Sequence, residues 1–389
     1  MKRMLALFLA LTLAFACLPL TAFADGNFDP VLYLSNGKVY AAEDEVHDPE
    51  DAPGAENEIT PPEGLRWNAA DGVWELRNFR RSSYNSSLIL GEDATLRLYG
   101  ENELYSDYWY GIRSLGNLRI EGPGSLKITT DDDDAIYGSV DKHFTADGCT
   151  LMLYAYSRGL DIDESVTLRN CSLTIRSDAD CIEADDDGIL IENSTLDLET
   201  SDADGLDSGG DIEIYNSRVK IHLTDWENCD TIFETDSINA AVRIVNSTLD
   251  CVGSNSTPFS RISSLVLDNV TGSISYVGEG GLLRDGYPDA PELIDTEIVS
   301  GGFDQNFVEL RGTRVPEQPE ENIVSRPDDG YIPQATGSLV PGQGNDAEQA
   351  APAGDANPNT GMLADARTFD LLGWLLRVLR ADWLVGIFA

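Results

Sequence analysis

Basic residues are scarce in this 389-residue chain: Lys+Arg number 26 against 68 Asp+Glu, a formal net charge of −42. A surface of that sign repels phosphate backbones and anionic headgroups, which excludes nucleic acid as a partner. It would hold a polyanionic glycan such as pectate only where cations bridge the two. Histidine occurs three times and no Cys-x-x-Cys spacing is present, so the usual zinc ligand sets are missing. Cysteine is sparse too: of 6 residues, Cys17 lies in the leader described below, and an odd number remains, so at least one thiol has no partner within the chain. Apolar segments of helix length are lacking between Leu88 and Val299, which excludes β-α units there. What is present, 42% hydrophobic and 24% charged residues, is the composition of a folded chain.

The ends differ from the body. Lys2 and Arg3, the apolar run Leu5 to Leu13 interrupted at Thr12, and Ala22-Phe23-Ala24 before Asp25 read as a cleaved signal peptide over residues 1–24. A membrane anchor is opposed by the short apolar core ending at Pro19, and lipidation at Cys17 by Phe15. The expected location is therefore secreted or at the cell surface. After Val315, residues 316–360 are rich in Pro, Gly, Gln, Glu and Ala, a flexible spacer. Residues 361–389 carry Leu371, Leu372, Leu375, Leu379 and Trp383 among Asp370, Arg377, Arg380 and Asp382, which suits an amphipathic helix and not a spanning one. The mature chain is thus expected to lack a transmembrane span.

The body is a repeat. Asn170, Asn193, Asn216, Asn246 and Asn269 each precede a segment such as Ser194-Thr195-Leu196-Asp197-Leu198, and Gly148 holds the place one unit earlier. Spacing is 22, 23, 23, 30 and 23 residues, the longer unit carrying a loop around Trp226 to Asn239. A second phrase, Ser177-Asp178-Ala179-Asp180-Cys181-Ile182-Glu183, recurs as Ser201-Asp202-Ala203-Asp204-Gly205-Leu206-Asp207; a third, Ile189-Leu190-Ile191, recurs as Ile212-Glu213-Ile214. Each unit holds three alternating segments separated by turns, and none could bury its apolar face alone. The fold expected is all-β: a right-handed parallel β-helix of about eight coils over residues 88–315, a rod of roughly 40 Å. Residues 25–87 form its N-terminal cap, with hairpins at Asn36-Gly37 and Asp71-Gly72 around an acidic loop from Glu43 to Gly64.

The asparagine column falls at a turn, where Asn tolerates the left-handed conformation and its amide can bond the next coil. That explains the sequons at Asn193 and Asn246 without a glycan. Cys149 and Cys171 occupy one place in consecutive coils and fit either a disulfide or stacked thiols, whereas Cys181 and Cys229 are two coils apart.

Stacking the coils also stacks carboxylates. Asp132, Asp178 and Asp202 share one column; Asp134, Asp180, Asp204 and Asp230 a second, interrupted by Arg158; Asp161, Glu183 and Asp207 a third. Like charges about 4.8 Å apart repel, and Ca2+ with its oxygen-rich coordination would offset that, so these residues are the candidate metal ligands. The alternative is turn aspartates fanned into solvent with Arg158 as counter-ion. Arg158 is also the one candidate for a lyase base, and paired carboxylates are candidates for a glycosidase. For sugar stacking the candidates are Tyr105, Tyr108, Trp109, Tyr110 and Tyr137, extended by Tyr154 and Trp226; an aromatic cap on the rod's end is the competing reading.

The Ser-Asp-Ala-Asp-Gly-Leu-Asp phrase, the I-x-I strand and Asn193-Ser194-Thr195-Leu196-Asp197-Leu198 resemble bacterial exported proteins described as carbohydrate-binding-domain-containing, with a pectate-lyase-like β-helix. Trp67 to Leu76 and Leu96 to Asn102 resemble that family's opening segment, so the resemblance spans about residues 65–300. It implies carbohydrate binding, and the regular repeat, the stacked aspartates and the lack of a concentrated catalytic constellation point to a non-catalytic module that binds a polysaccharide or a cell-surface or host glycoprotein. A polysaccharide lyase or glycoside hydrolase and a structural adhesin stalk are the alternatives. Asn357-Pro358-Asn359-Thr360-Gly361 resembles a divergent sortase signal of Gram-positive envelopes, though the charged segment after it departs from that pattern.

Overall fold

A computed structural model of the chain describes residues 29–42, 44–225, 231–237, 239–253, 257–276, 282, 292–300 and 306–313. The leader, the spacer, the C-terminal segment and Trp226, Cys229 and Asp230 lie outside them. The described residues are all-β apart from two 3-10 turns, and none of their elements is a helix long and apolar enough to cross a membrane.

Three sheets of eleven strands run side by side, and each coil gives one strand to each sheet. One coil shows the pattern: Ile189–Glu192 enters the first sheet, Thr195–Thr200 the second and Leu206–Ser208 the third. Strand length distinguishes them as the four-residue, long and short sheets. Eight complete triplets stack, from Val73–Arg77, Arg80–Ser83 and Leu88–Leu90 to Ala241–Val245, Thr248–Val252 and Phe259–Ser260. The first coil therefore begins at Val73, ahead of the expected Leu88, because the second arm of the Asp71-Gly72 hairpin pairs parallel with Ala94–Tyr99.

Alternation selects the core. Leu126, Leu151, Leu173, Leu196, Val219 and Leu249 stand in one register column, each at most 1% exposed. A fully buried side chain of this kind contributes about 1.5–3 kcal/mol, shared with the coils above and below.

The turn before each long strand carries two ladders. Asn170, Asn193, Asn216, Asn246 and Asn269 all have φ between 48° and 54°, the left-handed region expected of this column. Asn216 Nδ2 donates to Asn193 Oδ1 at 3.3 Å and Asn269 Nδ2 to Asn246 Oδ1 at 2.9 Å. The residue after each asparagine points inward, and Ser194, Ser217 and Ser247 among these make a second ladder. Ser194 N–H donates to Ser217 Oγ and Ser217 N–H to Ser247 Oγ, both at 3.1 Å, while each of these hydroxyls donates to the carbonyl two residues back. Buried backbone N–H groups are thereby satisfied between sheets, where no strand partner exists.

At the N-terminal end Val31–Ser35 and Lys38–Ala42 form the expected hairpin through Asn36 (φ 51°) and Gly37 (φ 71°), and Val31–Ser35 adds in parallel to Leu88–Leu90. At the other end Asn306–Gly312 lies antiparallel on Thr271–Tyr276, and Thr296–Ser300 pairs antiparallel beyond it as the edge of the long sheet.

Candidate functional site

The turn that leads into the short strands gathers most of the polar and aromatic candidates. Register fixes one outward column along the short sheet: Ile89, Arg113, Tyr137, Asp161, Glu183, Asp207, Glu234 and Ser260. Asp161, Glu183 and Asp207 are thus neighbours, and Glu234 extends them. One step earlier in the turn stand Asp134, Arg158, Asp180 and Asp204; the next member is Thr231, not the expected Asp230, because Leu206 pairs with Phe233. The 30-residue unit takes up its extra length on both sides of that point, between the long and short strands and again between Phe233–Thr235 and Ala241–Val245.

The three expected carboxylate columns differ in burial. Asp132, Asp178 and Asp202 are exposed, and Asp178 accepts from Ser201 Oγ at 3.1 Å. Asp134, Asp180 and Asp204 are buried and act as backbone caps across coils. Asp134 Oδ1 accepts the Arg158 N–H at 2.7 Å, Asp180 Oδ1 accepts the Asp204 N–H at 2.7 Å, and Asp204 accepts both the N–H and the hydroxyl of Thr231. Asp161, Glu183 and Asp207 are half-buried on the face itself.

Arg158 sits among them as the local cation. Its guanidinium pairs with Asp161 at 3.1 Å, with Asp180 at 3.3 Å and with Glu183. Burial works against its charge, but Glu183, Asp161, Asp134 and Asp180 together hold it above the ordinary arginine value. A group so held has no lone pair with which to take a proton.

Burial raises the carboxyls, and their neighbours add to it. Asp161 is pushed up to about 7, with Asp134 as its main carboxylate neighbour, and Asp207 to about 7 beside Asp180, Asp236 and Glu234. Asp204 is pushed up to about 8 and Glu183 to about 9, the latter against the opposing pull of Arg158. Asp207 Oδ1 is buried without a hydrogen-bond partner.

The aromatic candidates adjoin this column on its N-terminal side. Tyr84 and Tyr108 stack at 5.9 Å with planes 2° apart, Tyr108 meets Trp109 edge-on at 5.8 Å, Trp109 packs on Tyr110 at 5.8 Å, and Tyr110 stacks on Tyr137 at 4.5 Å. Tyr84 is 51% and Tyr108 49% exposed, so these two present ring surface, while Trp109, Tyr110 and Tyr137 are half-buried behind them. Tyr105 and Tyr154 belong instead to the outer face of the long sheet. There Tyr105 donates to Asp131 at 2.7 Å, and Lys127 lies 5.7 Å over the ring of Tyr154.

Three residues of the site escaped the sequence reading. Tyr84 lies one coil before Tyr108, a spacing of 24 that would have flagged it. Arg113 lies one coil before Tyr137, with its guanidinium 5.3 Å and 5.2 Å over Tyr110 and Tyr137. His47, from the acidic loop, gave no signal. It contacts Trp109 at 5.5 Å and accepts from Arg113 through its carbonyl at 3.2 Å, while Glu45 beside it accepts from Ser86 Oγ at 2.8 Å. The loop is therefore folded over the short sheet, with Val46 buried against Ile89 and Leu115.

Sets of three donors able to share one ion lie at the following turn: His143, Glu164 and Asp187, and Asp141, Asp163 and Glu164. The expected calcium ligands do not form such a set among the described residues.

A family model described as "Carbohydrate-binding domain-containing protein" matches residues 105–255. No curated protein and no solved structure matches the chain. The matched stretch covers Tyr105 to Tyr137, Arg158 and every carboxylate column described above, while Tyr84 and His47 precede it, so a carbohydrate-binding family signature lies on most of the coils that carry the site.

Proposed function

We propose that this chain is a non-catalytic glycan-binding β-helix of the secreted or cell-surface kind, with its binding face on the turn before the short strands. The observation that carries this reading is the continuous ring contact from Tyr84 to Tyr137, exposed at Tyr84 and Tyr108, leading directly onto half-buried carboxylates. A pyranose packs its apolar C–H face on an aromatic ring and directs its hydroxyls at acceptors. Here the rings and the acceptors stand on adjacent coils. Arg113 and His47 hold the rear of the cluster, so the exposed rings are supported by fixed neighbours.

Calcium belongs to this proposal as a stiffening ion at the C-terminal part of the column. Asp207, with its unpartnered buried Oδ1, and Asp204 are the residues that would hold it, supplying the hard oxygen donors it prefers. The lyase alternative through Arg158 is disfavoured by the three carboxylates that fix its charge. The hydrolase alternative retains one supporting feature: Asp161 and Glu183 are register neighbours about 4.8 Å apart, with carboxyls pushed to different values.

Binding of soluble polysaccharides, measured by calorimetry and by retardation in glycan-containing gels, tests the reading. Tyr108→Ala is expected to weaken binding about tenfold, the equivalent of about 1.4 kcal/mol, with an unchanged melting temperature. Wild-type protein that binds no neutral or acidic glycan would overturn it. New reducing ends released from a bound glycan, and lost in Glu183→Gln, would favour the hydrolase instead.

A further inference from the structure

The inward ladder that follows the asparagines changes chemistry at two adjacent rungs. Ser194, Ser217 and Ser247 occupy three of them, and Cys171 and Cys149 continue the same column toward the N-terminal end, in register through the pairing of Thr150 with Ser172. A hydroxyl performs the ladder's task well, because it accepts an N–H from one coil while donating to a carbonyl of its own. A thiol is a weak donor and a weak acceptor. Cys171 keeps the donation, to the Arg169 carbonyl at 3.0 Å, but the Cys149 sulfur lies 3.8 Å from the Ile120 carbonyl. Ladder chemistry alone therefore does not account for cysteine at both places.

The two sulfurs face one another at 3.9 Å, and both residues are 4% exposed. Paired residues on adjacent parallel coils have Cα atoms about 4.8 Å apart, inside the range of about 4.4–6.8 Å that a disulfide spans. The other described cysteines are placed differently. Cys181 is buried beside the Ser177 hydroxyl at 3.6 Å, and Cys251 lies in the column of Ile221 and Ile274. We propose that Cys149 and Cys171 form a cross-coil disulfide in the exported protein, stapling the coil that carries Arg158 and Asp161.

Before the coils close either sulfur can react first; written for Cys171, the exchange starts from its thiolate. That thiolate attacks the disulfide of an oxidant, either an oxidoreductase or a small-molecule disulfide, and one oxidant sulfur leaves as thiolate. Cys149 then gives up its proton and attacks the Cys171 sulfur of the mixed disulfide. The S–S bond forms and the second oxidant sulfur leaves. Two thiols are oxidised, one external disulfide is reduced to two thiols, and the two protons pass to the departing thiolates. Because both sulfurs are buried, the exchange occurs before these coils close.

The test is made on the full chain expressed through an oxidising secretory route, denatured without reductant and alkylated. Peptide mapping should recover a linked Cys149–Cys171 pair two hydrogen masses below its reduced form. Reduction should lower the melting temperature by about 5–10 °C. A Cys149→Ser/Cys171→Ser double variant restores the serine ladder, so it is expected to fold and to lose the response to reductant. Alkylation of both residues in the oxidised preparation, linkage of either to another cysteine, or a reductant response that persists in the double variant would each overturn the proposal.

Discussion

At the scale of the residue, Arg158 shows how a single cation settles a crowded acidic turn. The sequence placed it in a column of aspartates and left two roles open, counter-ion or base. The structure gives it Asp161, Asp180 and Glu183 as partners, and its own N–H is capped by Asp134. Arg158→Met would leave those carboxylates without a counter-charge in a half-buried setting. The expected loss is about 1–3 kcal/mol at pH 8, discounted for the guanidinium's partial exposure to water. Protonation relieves the carboxylates, so the loss should shrink at pH 5. Thermal melts of the variant and the wild type at both pH values decide it; an equal loss at the two would show that Arg158 acts by packing alone.

At the scale of the element, the coil is held by its turns as much as by its strands. Ser217→Ala removes the hydroxyl that accepts the Ser194 N–H and orphans a buried donor, at a cost of about 1–3 kcal/mol. Asn216→Ala should cost about 1 kcal/mol, because alanine resists the φ of 48° there, and Asn216→Gly less. Denaturant melts of the three variants check the order, and Asn216→Gly proving the worst of the three would refute the left-handed explanation. These turns also mark what could be read from the chain in advance. The period, the three strands and the asparagine column were legible because each repeats with fixed spacing, and burial then follows from alternation. The carboxylate columns were legible for the same reason, up to the point where the longer loop shifts register and puts Thr231 where Asp230 was expected. The serine ladder was written in the chain as the residue after Asn193, Asn216 and Asn246, but its role needed the inward direction of that side chain. His47 and Glu45 belong to no repeat, and only the fold of the acidic loop brings them to Trp109, Arg113 and Ser86.

At the scale of the molecule, the net charge and the carboxylate columns combine into a pH dependence with a definite sign. Burial holds Asp133 near about 6, Asp161 and Asp207 near about 7, Asp204 near about 8 and Glu183 near about 9. In the unfolded chain such groups titrate near about 4. Between about pH 4 and pH 9 the folded state therefore binds more protons than the unfolded state, and stability falls as pH rises through that window. Repulsion across a chain of net charge −42 acts in the same direction. The melting temperature should drop by roughly 10 °C or more from pH 5.5 to pH 8.5, a change of at least about 3 kcal/mol once the half-exposed carboxyls are discounted for solvent screening. Asp204→Asn and Asp207→Asn should flatten the profile, since each removes a group that must lose its proton in a buried place. Calcium enters by the same linkage, because an ion competes with protons for these oxygens and binds only where they are given up. Millimolar Ca2+ should therefore recover much of the lost stability at pH 8.5 and change little at pH 5.5, and Asp207→Asn should abolish the recovery. A melting temperature that is level or rises with pH would refute the protonated column, whereas a falling profile untouched by Ca2+ would leave the column intact and remove calcium from it.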